Sequence, residues 1–208
     1  SFLEKAVKCA EFLLDHASQK DGSLTRNFKH GKATINAFLE DYALVIEAFI
    51  LLYIATFSES WLDHANRLTK YVLDHFSDSE TSLFFFTSKS DDPLVARKKE
   101  LSDNVIPASN SVMARNLFLL GHYFNDQKYI DRAESMVMQV IDQVVQQPAF
   151  YSNWAQLLLL VVEGPYEIAI AGPEAKQLRQ ELDRHYLPGV ILLGGNEDSN
   201  LELLKGKS

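Results

Sequence analysis

Apolar residues recur at steps of three and four over three stretches of the chain. Leu3, Val7, Ala10, Leu14 and Ala17 form the first. Leu62, Ala65, Leu68 with Thr69, Val72 and Phe76 form the second, and Ile130, Ala133, Val137, Val140 with Ile141, and Val144 the third. That period lays one apolar stripe along an otherwise polar helix, so each stretch predicts an outer, half-exposed helix. Tyr42 to Phe57, Val112 to Phe124 and Trp154 to Val162 are instead apolar on nearly every side, which predicts helices buried all round.

The two kinds alternate as an internal repeat. Phe2-Leu3-x-x-Ala6 matches Trp61-Leu62-x-x-Ala65 and Tyr129-Ile130-x-x-Ala133, with Asp15, Asp74 and Asp142 at equivalent places and Leu51-Leu52 opposite Leu119-Leu120. Each unit reads as a helical hairpin, a buried helix followed by an amphipathic one, and the shared alanine lets helices approach closely. Stacked hairpins of this kind close into a ring with the buried helices inside. A ring of six would need about 300–400 residues at this repeat length, and the chain has about three hairpins in 208 residues. Residues 1–163 are therefore predicted to be mainly α, a partial α/α toroid. At a cut edge of such a ring, apolar surface left open predicts self-association or rearranged packing of the first helix.

Two segments break the helical pattern. In the long connection from Ser77 to Ala108, Leu83 to Thr87 reads as a short strand and Leu94 to Arg97 as its partner, a β-hairpin near residues 83–97. Residues 164–208 read as a small βαβ unit: a strand from Glu167 to Ala171, a helix from Glu174 to Tyr186 and a strand from Val190 to Leu193. Two strands make no stable free-standing sheet, so this unit must pack on the helices or lack a third strand.

Composition removes several classes of function. Against 28 Asp and Glu stand 20 Lys and Arg, a net charge of −8, so neither nucleic acid nor an anionic membrane is an expected partner. The single cysteine, Cys9, excludes a disulfide framework within the chain and reads as a small buried residue. No apolar run is long enough to span a bilayer and no signal peptide is visible, so a cytoplasmic location is expected. The histidines show no metal-ligand spacing, and GxGxxG and GxSxG are absent, so neither metal nor cofactor is expected.

Two strings carry a resemblance. Phe38-Leu39-Glu40-Asp41-Tyr42-Ala43, followed by Glu47 and Leu52-Tyr53-x-Ala55-Thr56-Phe57, is the first. Arg97-Lys98-Lys99-Glu100-Leu101-x-Asp103-x-x-Ile106-Pro107-x-x-Asn110-Ser111 is the second. With Phe84 to Thr87 and the terminal βαβ pattern, the chain resembles the thioredoxin-domain-containing proteins of the YyaL type, which include spermatogenesis-associated relatives in animals. The resemblance implies an N-terminal thioredoxin-like domain followed by a toroid similar to those of six-hairpin glycosidases and N-acylglucosamine 2-epimerases. It also implies that this chain is a C-terminal fragment, whose partner is the thioredoxin-like domain of the same parent. The chain departs from the family's Pro-Ser-Gly-Asn at Pro107-Ala108-Ser109-Asn110. The function implied is a carbohydrate-active or carbohydrate-binding domain, with glycosidase- or epimerase-like chemistry if it is an enzyme. The alternative is a non-enzymatic scaffold that presents protein clients to the thioredoxin-like domain.

The candidate chemistry lies at loops beside the buried helices. Asp41, Glu100 and Asp103 are the candidate catalytic carboxylates, since glycoside hydrolysis needs a pair of them flanking the scissile bond. Asp41 equally suits a helix cap, and Arg97, Lys99, Glu100 and Asp103 equally suit a network that pins the loop. Tyr42, Arg97, Lys99, Asn110 and Trp154 are the candidate substrate-binding residues, with Trp154 open to sugar stacking or to packing. Ser109, Asn110 and Ser111 are placed to cap the helix they open. Glu47 lies in an apolar helix and aligns with Arg115 in the repeat, which predicts an ion pair between them.

Overall fold

The computed structural model describes residues 1–92, 96–195, 199 and 201–204. The described residues form a mainly helical protein with one small parallel sheet. Helices α1 (Phe2–His16), α2 (Leu39–Thr56), α3 (Ser60–Phe76), α4 (Ser109–Phe124), α5 (Gln127–Gln139), α6 (Ile141–Gln146) and α7 (Ser152–Glu163) come first. Strand β1 (Tyr166–Ala171), helix α8 (Ala175–Leu182) and strand β2 (Val190–Gly195) follow. All six periodic stretches are helical. The third amphipathic stretch is not continuous, however: the chain leaves helical geometry at Val140 (φ −115°, ψ 9°) and resumes as α6.

Two antiparallel hairpins, α2 with α3 and α4 with α5, lie side by side through α2 and α4. The repeated small residues allow this. Ala65 and Ala133 are fully buried where α3 and α5 meet their partners. Gly121 on α4 leaves no room for a side chain, since a Cβ there would meet Ile130 Cγ1 at 2.5 Å. The corresponding Ala6 of α1 is exposed, and Ala10 is the buried residue of that helix. Cys9, expected to be buried, is exposed on the same helix. Along the stripe of α1, Ala10 and Ala17 are buried and Val7 and Leu14 pack half-buried on the core, while Leu3 at its start stays exposed.

The expectation of all-round burial holds for α4 alone, which lies between α2 and α7. On α2, Leu44 and Leu51 remain 40% and 57% exposed, and on α7 Leu159 and Val162 remain 63% and 69% exposed. An apolar helix is buried on every side only where neighbours stand on both sides of it, and α2 and α7 flank the array. The core runs through α2, α3, α4 and α5 and includes Tyr42, Tyr53, Phe76, Phe84, Leu117 and Trp154.

The sheet is two-stranded and parallel, with Tyr166 opposite Val190 and Ala171 opposite Gly195. Helix α8 makes the crossover that a parallel pair requires. The strands pack on the helices: Tyr53 Oη on α2 donates to the Gly194 carbonyl and accepts from its N–H, both at 3.0 Å. Tyr123 Oη on α4 donates to Leu192 O at 3.3 Å. The hairpin expected near residues 83–97 is a correction. Leu83 to Thr87 makes an isolated bridge from Phe84 to Ser77 and exchanges backbone bonds with Phe76 and Asp78. It accepts from Leu39 N–H at Phe86 O, and meets the expected partner segment through a single described backbone bond, Phe86 N–H to Lys98 O. Neither a strand there nor one at Ala96 and Arg97 forms among the described residues, and Leu94 and Val95 lie outside them. Phe84 is instead held by a side chain, as described next. Among the described residues no helix is long and apolar enough to cross a membrane.

Candidate functional site

An α-helix begins with backbone N–H groups that have no intrahelical acceptor and with a partial positive charge. Helices α2, α4 and α7 all begin on non-capping residues, Phe38, Ala108 and Tyr151. Carboxylates supply the missing acceptors. Asp41 Oδ2 accepts from Phe38 N–H at 2.8 Å. Glu100 Oε2 accepts from Ser109 N–H at 3.1 Å. Asp103 serves two helices at once: Oδ1 accepts from Ala108 N–H at 2.9 Å and Ser111 Oγ at 3.2 Å, while Oδ2 accepts from Asn153 N–H at 3.0 Å. Asp103 is 7% exposed. The three candidate catalytic residues are thus engaged by the chain's own backbone. Asp41 alone also faces a cation, with Arg26 3.7 Å from Oδ1.

The candidate binding residues are likewise turned inward. Asn110 is fully buried; its Oδ1 accepts from Phe84 N–H at 2.8 Å, and its Nδ2 donates to Phe84 O and Glu100 O, both at 3.0 Å. That one side chain satisfies the segment that sequence pattern assigns to a strand. Trp154 is also fully buried, and its Nε1 donates to Leu101 O at 2.8 Å. Tyr42 accepts from Leu24 N–H at 2.7 Å and packs between Tyr71 and Phe76, and burial pushes its hydroxyl pKa up. Ser109, Asn110 and Ser111 do not cap α4 as expected. The acceptors come from the preceding loop, and Ser111 Oγ donates to Ala108 O and Asp103.

Arg97 and Lys99 lie on one face of the extended loop, as alternation requires. Both stand over the Phe85 ring, at 4.2 and 5.3 Å from its centroid. Arg97 donates to Thr87 O, and burial lowers its pKa. Lys99 bonds Asp78, which also accepts from Thr81 Oγ1 at 2.7 Å and Glu80 N–H at 3.1 Å. The Lys99 bond, then those from Thr81 and Glu80, pull the Asp78 carboxyl down to about 2. A folded-state pKa below the unfolded value of 3.8 gives stability that is complete above about pH 4 and is lost as pH falls toward 2. Asp78→Asn is therefore expected to melt below the native chain at neutral pH, with the difference closing by about pH 2 in a thermal series.

One open cleft is not part of this network. It measures about 630 Å³ and lies between α4, α7 and the start of both strands. Arg115, Gln156 and Glu163 line it with Tyr166, Tyr186 and the apolar Leu159, Leu160 and Val190. Arg115 has no hydrogen bond or ion pair among the described residues, and Glu47 does not pair with it. Both side chains are only half-buried, so neither is forced to find a partner. Tyr166 and Tyr186 are 76% and 90% exposed. These residues have no motif spacing in the sequence. The one usable signal was two tyrosines flanking Gly-Pro and Pro-Gly turns.

No family model matches the chain. It is similar to spermatogenesis-associated protein 20 of Rattus norvegicus, 29% identical over 168 residues, covering 77% of this chain and 21% of that protein. The human protein of that name is 26% identical over 175 residues, covering 82% and 22%. An uncharacterized protein of Caenorhabditis elegans is 28% identical over 211 residues, covering 95% and 28%. The chain thus spans between about a fifth and somewhat over a quarter of the length of these relatives.

Proposed function

We infer that this chain is part of an α/α toroid that acts by holding a ligand or a client rather than by breaking a covalent bond. One pattern supports the reading: Asp41, Glu100 and Asp103 accept from backbone amides beside α2, α4 and α7, and Asn110 is bonded to backbone on both its oxygen and its nitrogen. A glycosidase needs two carboxylates free to reach a substrate, and an epimerase needs a base within reach of the carbon acid. The open cleft contains one carboxylate, Glu163. On this reading the uncovered face of α2 receives further hairpins of the ring, α7 keeps its face toward the open cleft, and the toroid presents its client to a thioredoxin-like domain of the parent. Carbohydrate is one ligand class for such a scaffold, because Tyr166 and Tyr186 offer ring faces on which a sugar stacks.

The test is turnover and thermal shift with aryl glycosides, amino sugars and sugar phosphates. A ligand at about 100 times its dissociation constant adds about 2.7 kcal/mol, which a melting curve reads easily. No turnover is expected, and Asp103→Asn is expected to lower the melting temperature with or without ligand. Measurable turnover overturns the reading. So does a ligand-induced shift that Asp103→Asn abolishes while the unliganded melting temperature stays unchanged.

A further inference from the structure

We propose that the cleft around Arg115 binds a small anion carried on a ring, a phosphate on a sugar or on an aromatic body. The proposal rests on the scaffold reading and names what the scaffold holds. Its volume of about 630 Å³ falls within the range of ligand sites, about 300–1,000 Å³. Its walls have the composition such sites share, an apolar floor with a few polar groups. Arg115 supplies a planar fork of donors that fits the paired oxygens of a phosphate or carboxylate. Among the described residues the Arg115 side chain has no hydrogen bond or ion pair, so its donors are open to an incoming anion, and Glu163, the one carboxylate of the cleft, does not pair with it. Tyr166 opens β1 and Tyr186 lies in the connection from α8 to β2; both line the cleft and are largely exposed, and a planar or sugar ring stacks on aromatic rings of this kind. Gln156 and Glu163 complete the lining with groups that bond hydroxyls.

The division of labour gives the test. Arg115 holds the anion, and the tyrosines distinguish a ring from a bare ion. The 208-residue chain is titrated at low salt with phenyl phosphate, glucose 6-phosphate and inorganic phosphate, and amide shifts are followed by heteronuclear NMR. At least one ring phosphate is expected to saturate the amides of Arg115, Gln156 and Tyr166, and to bind about tenfold tighter than inorganic phosphate. Whichever of the two binds tighter identifies the ring. Arg115→Gln is expected to weaken that ligand about tenfold, about 1.4 kcal/mol, with an unchanged fold because the Arg115 side chain has no hydrogen bond or ion pair among the described residues. Tyr186→Ala is expected to reduce ring-phosphate affinity and leave inorganic phosphate unaffected. Lys70→Gln removes the same charge from an exposed position on α3 and is expected to change nothing. No saturation by either ring phosphate overturns the proposal, as does an Arg115→Gln effect below about twofold or an equal loss in Lys70→Gln. Those failures leave the scaffold reading standing so long as no glycoside is turned over; turnover removes the scaffold reading whatever the cleft binds.

Discussion

Replacing Asp103 by alanine is expected to destabilise the chain by about 3–5 kcal/mol, because the side chain takes three hydrogen bonds and two of their donors are backbone amides at helix starts. Ala108 N–H and Asn153 N–H would both lose a charged acceptor at a site only 7% exposed. Bonds to a charged group contribute about 1.5–3 kcal/mol each, and a buried donor left without an acceptor costs about 1–3 kcal/mol. The losses share one side chain and do not simply add. Asp103→Asn keeps one carbonyl oxygen but turns an amide donor toward a second donor, so about half the loss is expected. Denaturant titrations of the two variants read these values directly. A midpoint for Asp103→Asn equal to that of the native chain would mean that Asp103 does not tie α4 to α7. It would then return to consideration as a residue for chemistry.

The second large effect is expected at Gly194. A Cβ there would lie 2.3 Å from three atoms of the Phe57 ring. The Phe57 ring packs on the core and beside Tyr53, ring centroids 6.1 Å apart, so it gives way only by losing those contacts. Gly194→Ala is expected to cost about 2–3 kcal/mol by overpacking. Tyr53→Phe removes the hydroxyl that both donates to and accepts from Gly194, and is expected to cost about 1–2 kcal/mol. Burial pushes the Tyr53 hydroxyl up to about 12 from its ordinary value of 10. Both changes act where the sheet meets α2, so together they are expected to be less than additive. Hydrogen exchange separates this from general loosening. Amides of β1 and β2 should lose protection while those of α3 and α5 keep it. Equal loss across all helices would mean that the βαβ unit and the helices unfold together.

Much of the architecture was legible because periodicity is a local property. Steps of three and four placed α1, α3 and α5, and the apolar runs placed α2, α4 and α7, each within a few residues. The parallel pair with its crossover helix followed from strand pattern and Gly-Pro turns. The roles of the polar residues were less legible. In the sequence Asp41 fits chemistry or a helix cap, and Glu100 and Asp103 fit chemistry or a network that pins the loop; the bonds to Phe38, Ser109, Ala108 and Asn153 place all three at helix starts. A carboxylate beside a helix start has the same sequence signature in either use. What separates them is whether its lone pairs are already taken, and for Asp103 one partner lies 50 residues away.

The sequence by itself determined which segments are helical, which helices have a polar face and which do not, and that two parallel strands follow the helices. Those features depend on side chains within a few positions of one another, so one chain suffices to show them. Only the tertiary structure decided which apolar helices find neighbours on both sides: α4 does, while α2 and α7 keep open faces. It also decided that Asn110 holds Phe84 in place of a strand partner, and that Glu47 and Arg115 stay apart, leaving Arg115 in a cleft. The physical reason is common to all three. Helical pattern is set by the backbone's own repeat, whereas a polar group's partner is whichever donor or acceptor the packing of distant elements brings within about 3 Å.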